Sequence, residues 1–178
     1  LSYMGIPITG TITQFQTKLQ AKRCSLDKQT SNSLGVGCRA FKGNFIGNKV
    51  TIFVYYDEKT KVVYRVKSVI SKISESIADQ KYEYIKKMLL QKYGMTYSNY
   101  GEQTGKESFS ILVEGKLLNP KMDLTSLPLS SNGFKGNIDL FIAKDETFLS
   151  YPFDYNLHID YYDAINYEKH LNRDLEDI

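Results

Sequence analysis

Two histidines, His158 and His170, and two cysteines, Cys24 and Cys38, are the residues of this 178-residue chain that most readily act as ligands, bases or nucleophiles. They gather with carboxylates in one place only, the stretch from Asp154 to Asp163. On a strand, Asp154, His158 and Asp160 stand at even separations and share one face. There two carboxylates and an imidazole could surround a cation or pass a proton. An enzyme built on this chain would be of unrecognised type and would work from the 154–163 cluster. The same pattern also describes a polar strand surface, and no second cluster of ligand-type residues argues for a metal. A thiol nucleophile would need Cys24 or Cys38 brought beside His158 or His170 by folding, whereas a small buried cysteine is the commoner use. The pairs Asp57-Glu58 and Asp145-Glu146 fall in expected hairpin turns, where acidic side chains serve turn chemistry. Gly35-Val36-Gly37 and the Gly43 to Gly47 stretch precede strands and lack the Lys-Ser/Thr of a phosphate loop. No Gly-x-Ser-x-Gly elbow occurs. The sequence therefore names no catalytic residue and no cofactor.

Binding has more to work with. The chain carries 14 Tyr, 9 Phe and no Trp, and Tyr offers a large contact area at small entropic cost with a polar tip. Phe53, Tyr55, Tyr64, Arg65 and Lys67 are the expected residues of a Tyr/Lys-rich sheet face that would bind a protein or a cell-surface polymer. Cys24 and Cys38 are either one disulfide, worth ~3 kcal/mol in the chain-entropy model, or two separate thiols.

Net charge is only +3, from 23 Lys plus Arg against 20 Asp plus Glu. Residues 1–93 hold 16 basic and 6 acidic groups, a balance of +10; residues 94–178 hold 7 and 14, a balance of −7. Such asymmetry suits a nucleic-acid surface, a partner surface, or halves that face each other. Nucleic acid is disfavoured: 19 of the 23 basic residues are Lys, not the Arg that grips phosphate bidentately, and the acidic half offsets the field. The remaining expectation is complementary packing of the two halves, or head-to-tail association of copies as a homo-oligomer. No run approaches the ~18 apolar residues of a membrane span.

These groups must be positioned by an α+β arrangement, helices on antiparallel sheet in the order helix, strands, helix, strands. Thr11 with Gln14 fits a capping box, and Ile12, Phe15 and Leu19 make one stripe of a helix reaching about Arg23. Residues 25–37 read as a loop. Strands follow near Arg39–Ile46, turning at Gly47-Asn48, then over 50–56 and 62–67 around a turn at Asp57-Glu58-Lys59-Thr60. Ser76 with Asp79 opens a second helix along Ile77, Tyr84, Ile85, Met88 and Leu89, with Gly94 as its C-cap. Lys81, Lys86, Lys87 and Lys92 fall mainly on its wet side. Further strands are expected at 109–113, 138–142 and 157–162, separated by an irregular stretch at 115–136. A terminal helix or tail from Ala164 to Ile178 carries Ile165, Leu171, Leu175 and Ile178. The whole reads as one domain over 1–178, with sub-repeats 1–75 and 76–163 and a tail at 164–178. NKVTIFVYYDEKT and GNIDLFIAKDETF echo each other between the sub-repeats.

The run MGIPITGTITQFQTKLQAK, with RAFKGNFIGNKVTIFVYYDEKTKVVYRV and KKMLLQKYG, resembles small uncharacterised exported proteins of Bacteroides-type bacteria over most of residues 3–95. Through the Gly-Thr-x-x-Gln-Phe helix start at Gly10 to Phe15 it resembles, more distantly, the set containing the beta-lactamase inhibitor protein and small outer-membrane assembly lipoproteins. The resemblance implies a helix before an antiparallel sheet, a removed signal peptide, and a periplasmic or secreted location. The start at Leu1 agrees with removal of an upstream segment, and an oxidising envelope would permit a Cys24 to Cys38 disulfide. No activity or catalytic residue comes with the resemblance.

Overall fold

A computed structural model describes residues 1–93, 108–113, 134–145 and 155–173. The chain opens with a short hairpin, β1 (Ser2–Tyr3) and β2 (Ile6–Pro7), before the helix α1 (Ile12–Ala21). The capping box forms as the sequence reads: Thr11 Oγ1 accepts from the Gln14 amide, and Gln14 Oε1 accepts from the Thr11 amide. Next come β3 (Ser25–Leu26) and α2 (Lys28–Leu34). The strands β4 (Cys38–Phe45), β5 (Asn48–Tyr56) and β6 (Val63–Ile73) form a meander. After α3 (Glu75–Tyr93) a second meander follows, β7 (Ser108–Val113), β8 (Gly136–Lys144) and β9 (Tyr155–Asp163), and then α4 (Ala164–Asn172).

Both meanders join in one antiparallel sheet of order β3-β4-β5-β6-β9-β8-β7, so the expected α+β class and its helix-strands-helix-strands order are observed. The halves meet where β6 runs against β9. The two strands whose sequences echo, β5 and β8, hold the middle place in their respective meanders.

One face of the sheet carries the core. Phe41, Ile52, Val54, Val66, Ile138, Leu140, Leu157 and Ile159 are buried there against Ile12, Phe15 and Leu19 of α1 and Ala78, Tyr82, Ile85 and Leu89 of α3. Each such side chain contributes ~1.5–3 kcal/mol on leaving water. Tyr3, brought in by the opening hairpin, stacks on Phe45 at 5.0 Å, meets Tyr161 edge-on at 5.4 Å, and satisfies its hydroxyl on the buried Ser68 Oγ at 2.5 Å. A buried Tyr needs such a partner.

Several local expectations shift. Residues 25–37 are not a loop throughout: Asp27 caps α2 by accepting from the Thr30 amide, and Ser31 Oγ accepts from the Ala40 amide while donating to the Asp27 carbonyl. That side chain stands in for a strand partner beside β4. The β4–β5 turn is Ile46-Gly47, one residue earlier than expected, with both residues at positive φ, the geometry of a two-residue hairpin loop. In α3 the buried stripe is Ala78, Tyr82, Ile85 and Leu89, while Ile77, Tyr84 and Met88 are exposed. Small Ala78 lets the helix approach the sheet, which rotates the stripe by about one residue. In α4, Ile165 and Leu171 are 54% and 59% exposed, because that helix docks through polar and aromatic residues instead. Gly94, Leu175, Ile178 and most of 115–136 lie outside the described residues.

The cysteines are free. Cys38 is in register with Tyr55, whereas Gly43, five residues along the same strand, faces the Cys24 sulfur; an odd separation puts the two thiols on opposite faces, and the permitted disulfide is not made. A methyl group on Gly43 would fall 2.6 Å from Cys24 Sγ and 3.4 Å from Ile52 Cδ1. Gly43→Ala is therefore expected to cost ~1–3 kcal/mol in urea unfolding. Adding Cys24→Ala should cost clearly less than the sum of the two single changes; strict additivity would show that the two atoms do not compete for this space.

Candidate functional site

The face opposite the core is neither wet nor fully buried, and its register is a grid. Across β5, β6, β9 and β8 the rows read Tyr55, Arg65, Tyr162, Asn137; then Phe53, Lys67, Asp160, Asp139; then Thr51, Val69, His158, Phe141. Four of the five residues expected on a binding face, Phe53, Tyr55, Arg65 and Lys67, thus stand together here. Tyr64 departs. β6 carries an extra residue between the Tyr55–Arg65 and Tyr56–Val63 pairings, a β-bulge, and the Tyr64 ring stacks on His170 at 4.1 Å and meets Tyr167 at 5.9 Å at the end of the sheet.

Arg65 is held on every side. Its Cζ lies 4.6 Å from the Tyr55 ring centre and 4.8 Å from that of Tyr162, a guanidinium between two aromatic faces. Nε donates to Asp160 Oδ1 at 2.9 Å and Nη2 to Oδ2 at 2.5 Å. Tyr162 adds its hydroxyl to Oδ2 at 3.2 Å. Burial disfavours the Arg65 charge, but bonding to Asp160 outweighs it and holds the guanidinium more firmly protonated than usual. Asp160 is only 1% exposed, so the pair is bidentate and desolvated at the carboxylate.

Asp160 also lies in register with Lys67, but its oxygens go to Arg65 and Tyr162. The Lys67 ammonium sits over the Phe141 ring, 5.7 Å from its centre. Burial lowers its pKa, the Asp160 charge resists, and Arg65 adds to the lowering. His158 stacks flat on Phe141, centroids 4.6 Å apart and planes within 2°. Burial first, and then the charges of Lys67 and Arg65, push its pKa down to about 3; its Nδ1 is buried without a hydrogen-bond partner.

His158 and Asp160 do share a face, as their spacing implies, but Asp160 is occupied by Arg65, and Asp154 lies outside the described residues. Among the described residues no group of three His, Cys, Asp or Glu is placed to hold a metal ion.

A second cluster gathers where α4 crosses the β5–β6 turn, around a cavity of about 250 Å³ lined by Asp57, Thr60, Asn166, Lys169, His170 and Arg173 among others. Asp57, 5% exposed, accepts from the Lys59 and Thr60 amides and the Thr60 hydroxyl through Oδ1, and lies 3.1 Å from both His170 Nδ1 and Arg173 Nη1 through Oδ2. Burial opposes its charge, yet these bonds prevail and hold the carboxyl well below the usual range. Asn166 Nδ2 donates to the carbonyls of Ile8 and Val63. With its carboxylate so fully engaged, Asp57 is an anchor for the turn and for α4. Its turn role is the one the sequence suggests, but nothing local marks its hold on α4, whose partners arrive from 113 and 116 residues away.

Removing the Asp160 charge with Asp160→Asn leaves a half-buried guanidinium unpaired and is expected to cost ~3–5 kcal/mol in urea unfolding; a loss under ~1 kcal/mol would mark the pair as an ordinary surface contact. His158 is neutral in the fold and takes a proton near pH 6.5 when unfolded, so the unfolded state binds the extra proton as pH falls and stability declines. Between pH 7 and pH 5 this is worth about 2 kcal/mol, and His158→Phe should abolish that share of the decline; equal pH slopes in the two proteins would refute it. No family model, no curated protein and no solved structure matches this chain.

Proposed function

We propose that this chain is a non-enzymatic binding module that docks a protein partner on the sheet face of Phe53, Tyr55, Arg65, Lys67 and Phe141, and that it works as an exported protein of the cell envelope or its surroundings. The observation that carries the reading is Arg65, clamped between two tyrosine rings and two carboxylate oxygens while its side chain keeps 26% exposure. Tyr and Arg are the residues that dominate protein interfaces, and here their rotamers are fixed before any partner arrives, which removes an ordering cost of ~0.5–1.5 kcal/mol per side chain.

The face suits a polypeptide better than a sugar polymer. A sugar would stack on open ring faces, and here those faces are turned onto Arg65 or, for Phe141, onto His158. Nucleic acid fits less well still, since Asp139 and Asp160 stand in the same face and repel phosphate. No helix among the described residues is long and apolar enough to cross a membrane, which agrees with a partner met in solution or at a surface.

The test is capture from an envelope extract of the source organism. The wild-type protein should retain at least one species that Phe53→Ala/Tyr55→Ala loses, with thermal unfolding confirming that the variant is folded. Identical retention by both proteins would overturn the reading.

A further inference from the structure

We infer that the partner of this face presents an acidic side chain, and that its carboxylate docks on the Lys67 ammonium with Arg65 alongside. The inference rests on the docking reading above and adds the chemistry of the partner. Among the described residues Lys67 is a half-buried cation with no carboxylate bonded to it: the one acid in register with it, Asp160, has both oxygens taken by Arg65 and Tyr162. Its neighbours offer no substitute. Arg65 repels it, His158 is neutral, and the Phe141 ring gives only its quadrupole at 5.7 Å. Asp139, next in the row, accepts from Asn137 Nδ2 at 2.7 Å.

Burying an ammonium that no carboxylate bonds directly is unfavourable, and the Asp160 charge offsets that only in part, so an incoming carboxylate would recover what burial removed. Arg65 can join the same guest. Its Nε and Nη2 are directed at Asp160, which leaves Nη1 on the edge of the guanidinium away from that carboxylate, two residues along β6 from Lys67 on the same face. A carboxylate set between them gains two charge-assisted contacts on a face it shares with the rings of Tyr55, Phe53 and Phe141. The two native acids restrict the guest to a single small anionic group, which favours an isolated Glu or Asp side chain over a continuous polyanion.

Two measurements test this. The first is stability. Lys67→Met keeps the stem over Phe141 and removes the uncompensated charge, and Tm is expected to rise by about 3 °C; a fall would show that Lys67 already has what it needs within the fold and would overturn the inference. The second is an NMR titration at low salt with a blocked peptide carrying one Glu among neutral residues, acetyl-Gly-Ser-Glu-Ser-Gly-amide. Saturable shifts are expected at Arg65, Lys67 and His158, with affinity reduced about tenfold in Lys67→Gln. Absence of saturable shifts, shifts centred on the α3 lysines, or unchanged affinity in Lys67→Gln would each overturn it. A stronger response to hexagalacturonate than to the single-Glu peptide would overturn it in favour of an acidic polysaccharide. Capture of a protein that depends on Phe53 and Tyr55 but not on Lys67 would overturn this inference while leaving the docking reading intact.

Discussion

The seam between β6 and β9 is the constraint on which the rest of the molecule depends. Two helix-and-meander halves become one sheet where these strands pair across a sequence separation of nearly a hundred residues. The backbone ladder supplies the join, and the Arg65–Asp160 pair crosses it on the side away from the core. Register cannot slip there without moving every apolar residue of β9 to the wrong face, and the bidentate pair gives the correct register an electrostatic signature as well.

The charge imbalance along the chain acquires a narrower meaning at this seam. Arg65 from the basic half and Asp160 from the acidic half meet as complementary packing requires. At α4 the signs are reversed: Asp57 is an acid of the basic half, and His170 and Arg173 are bases of the acidic half. The described ion pairs between the halves thus run in both directions. At both places a desolvated carboxylate is surrounded by donors that hold its charge. Most lysines take no part and remain in solvent, where charge contributes little to stability.

Electrostatics and function meet on the second sheet face. A face meant only for water would show open polar residues, and one meant only for packing would be apolar. This one is aromatic and charged at once, with Arg65 immobilised, Lys67 left over and His158 held neutral by burial. Such a surface is rigid where it is aromatic and incomplete where it is cationic, which is the combination that favours a specific partner over general stickiness.

Periods and caps are local physics, and the amino-acid sequence was sufficient for α1 but not for α3, which begins at Glu75, ahead of the expected Ser76 cap, and buries Ala78 and Tyr82 where Ile77 and Tyr84 were expected. The Thr11–Gln14 box, the alternation of β5 and β8 and the α+β order all follow from neighbours within a few residues, and alternation alone put Phe53, Tyr55, Arg65 and Lys67 on or near a common face. Asp27 as the cap of α2 was legible but hidden in a polar run. Tertiary structure decided the rest, because the deciding partners are distant in the chain. It determined which face is buried, through helices that arrive from both halves, and it separated Cys24 from Cys38 by setting the parity of β4 against the core. It turned Tyr64 aside at a bulge that no local pattern specifies. It also gave Asp160 to Arg65 and not to Lys67 or a metal, since a planar two-pronged donor satisfies both carboxylate oxygens where a single ammonium satisfies one.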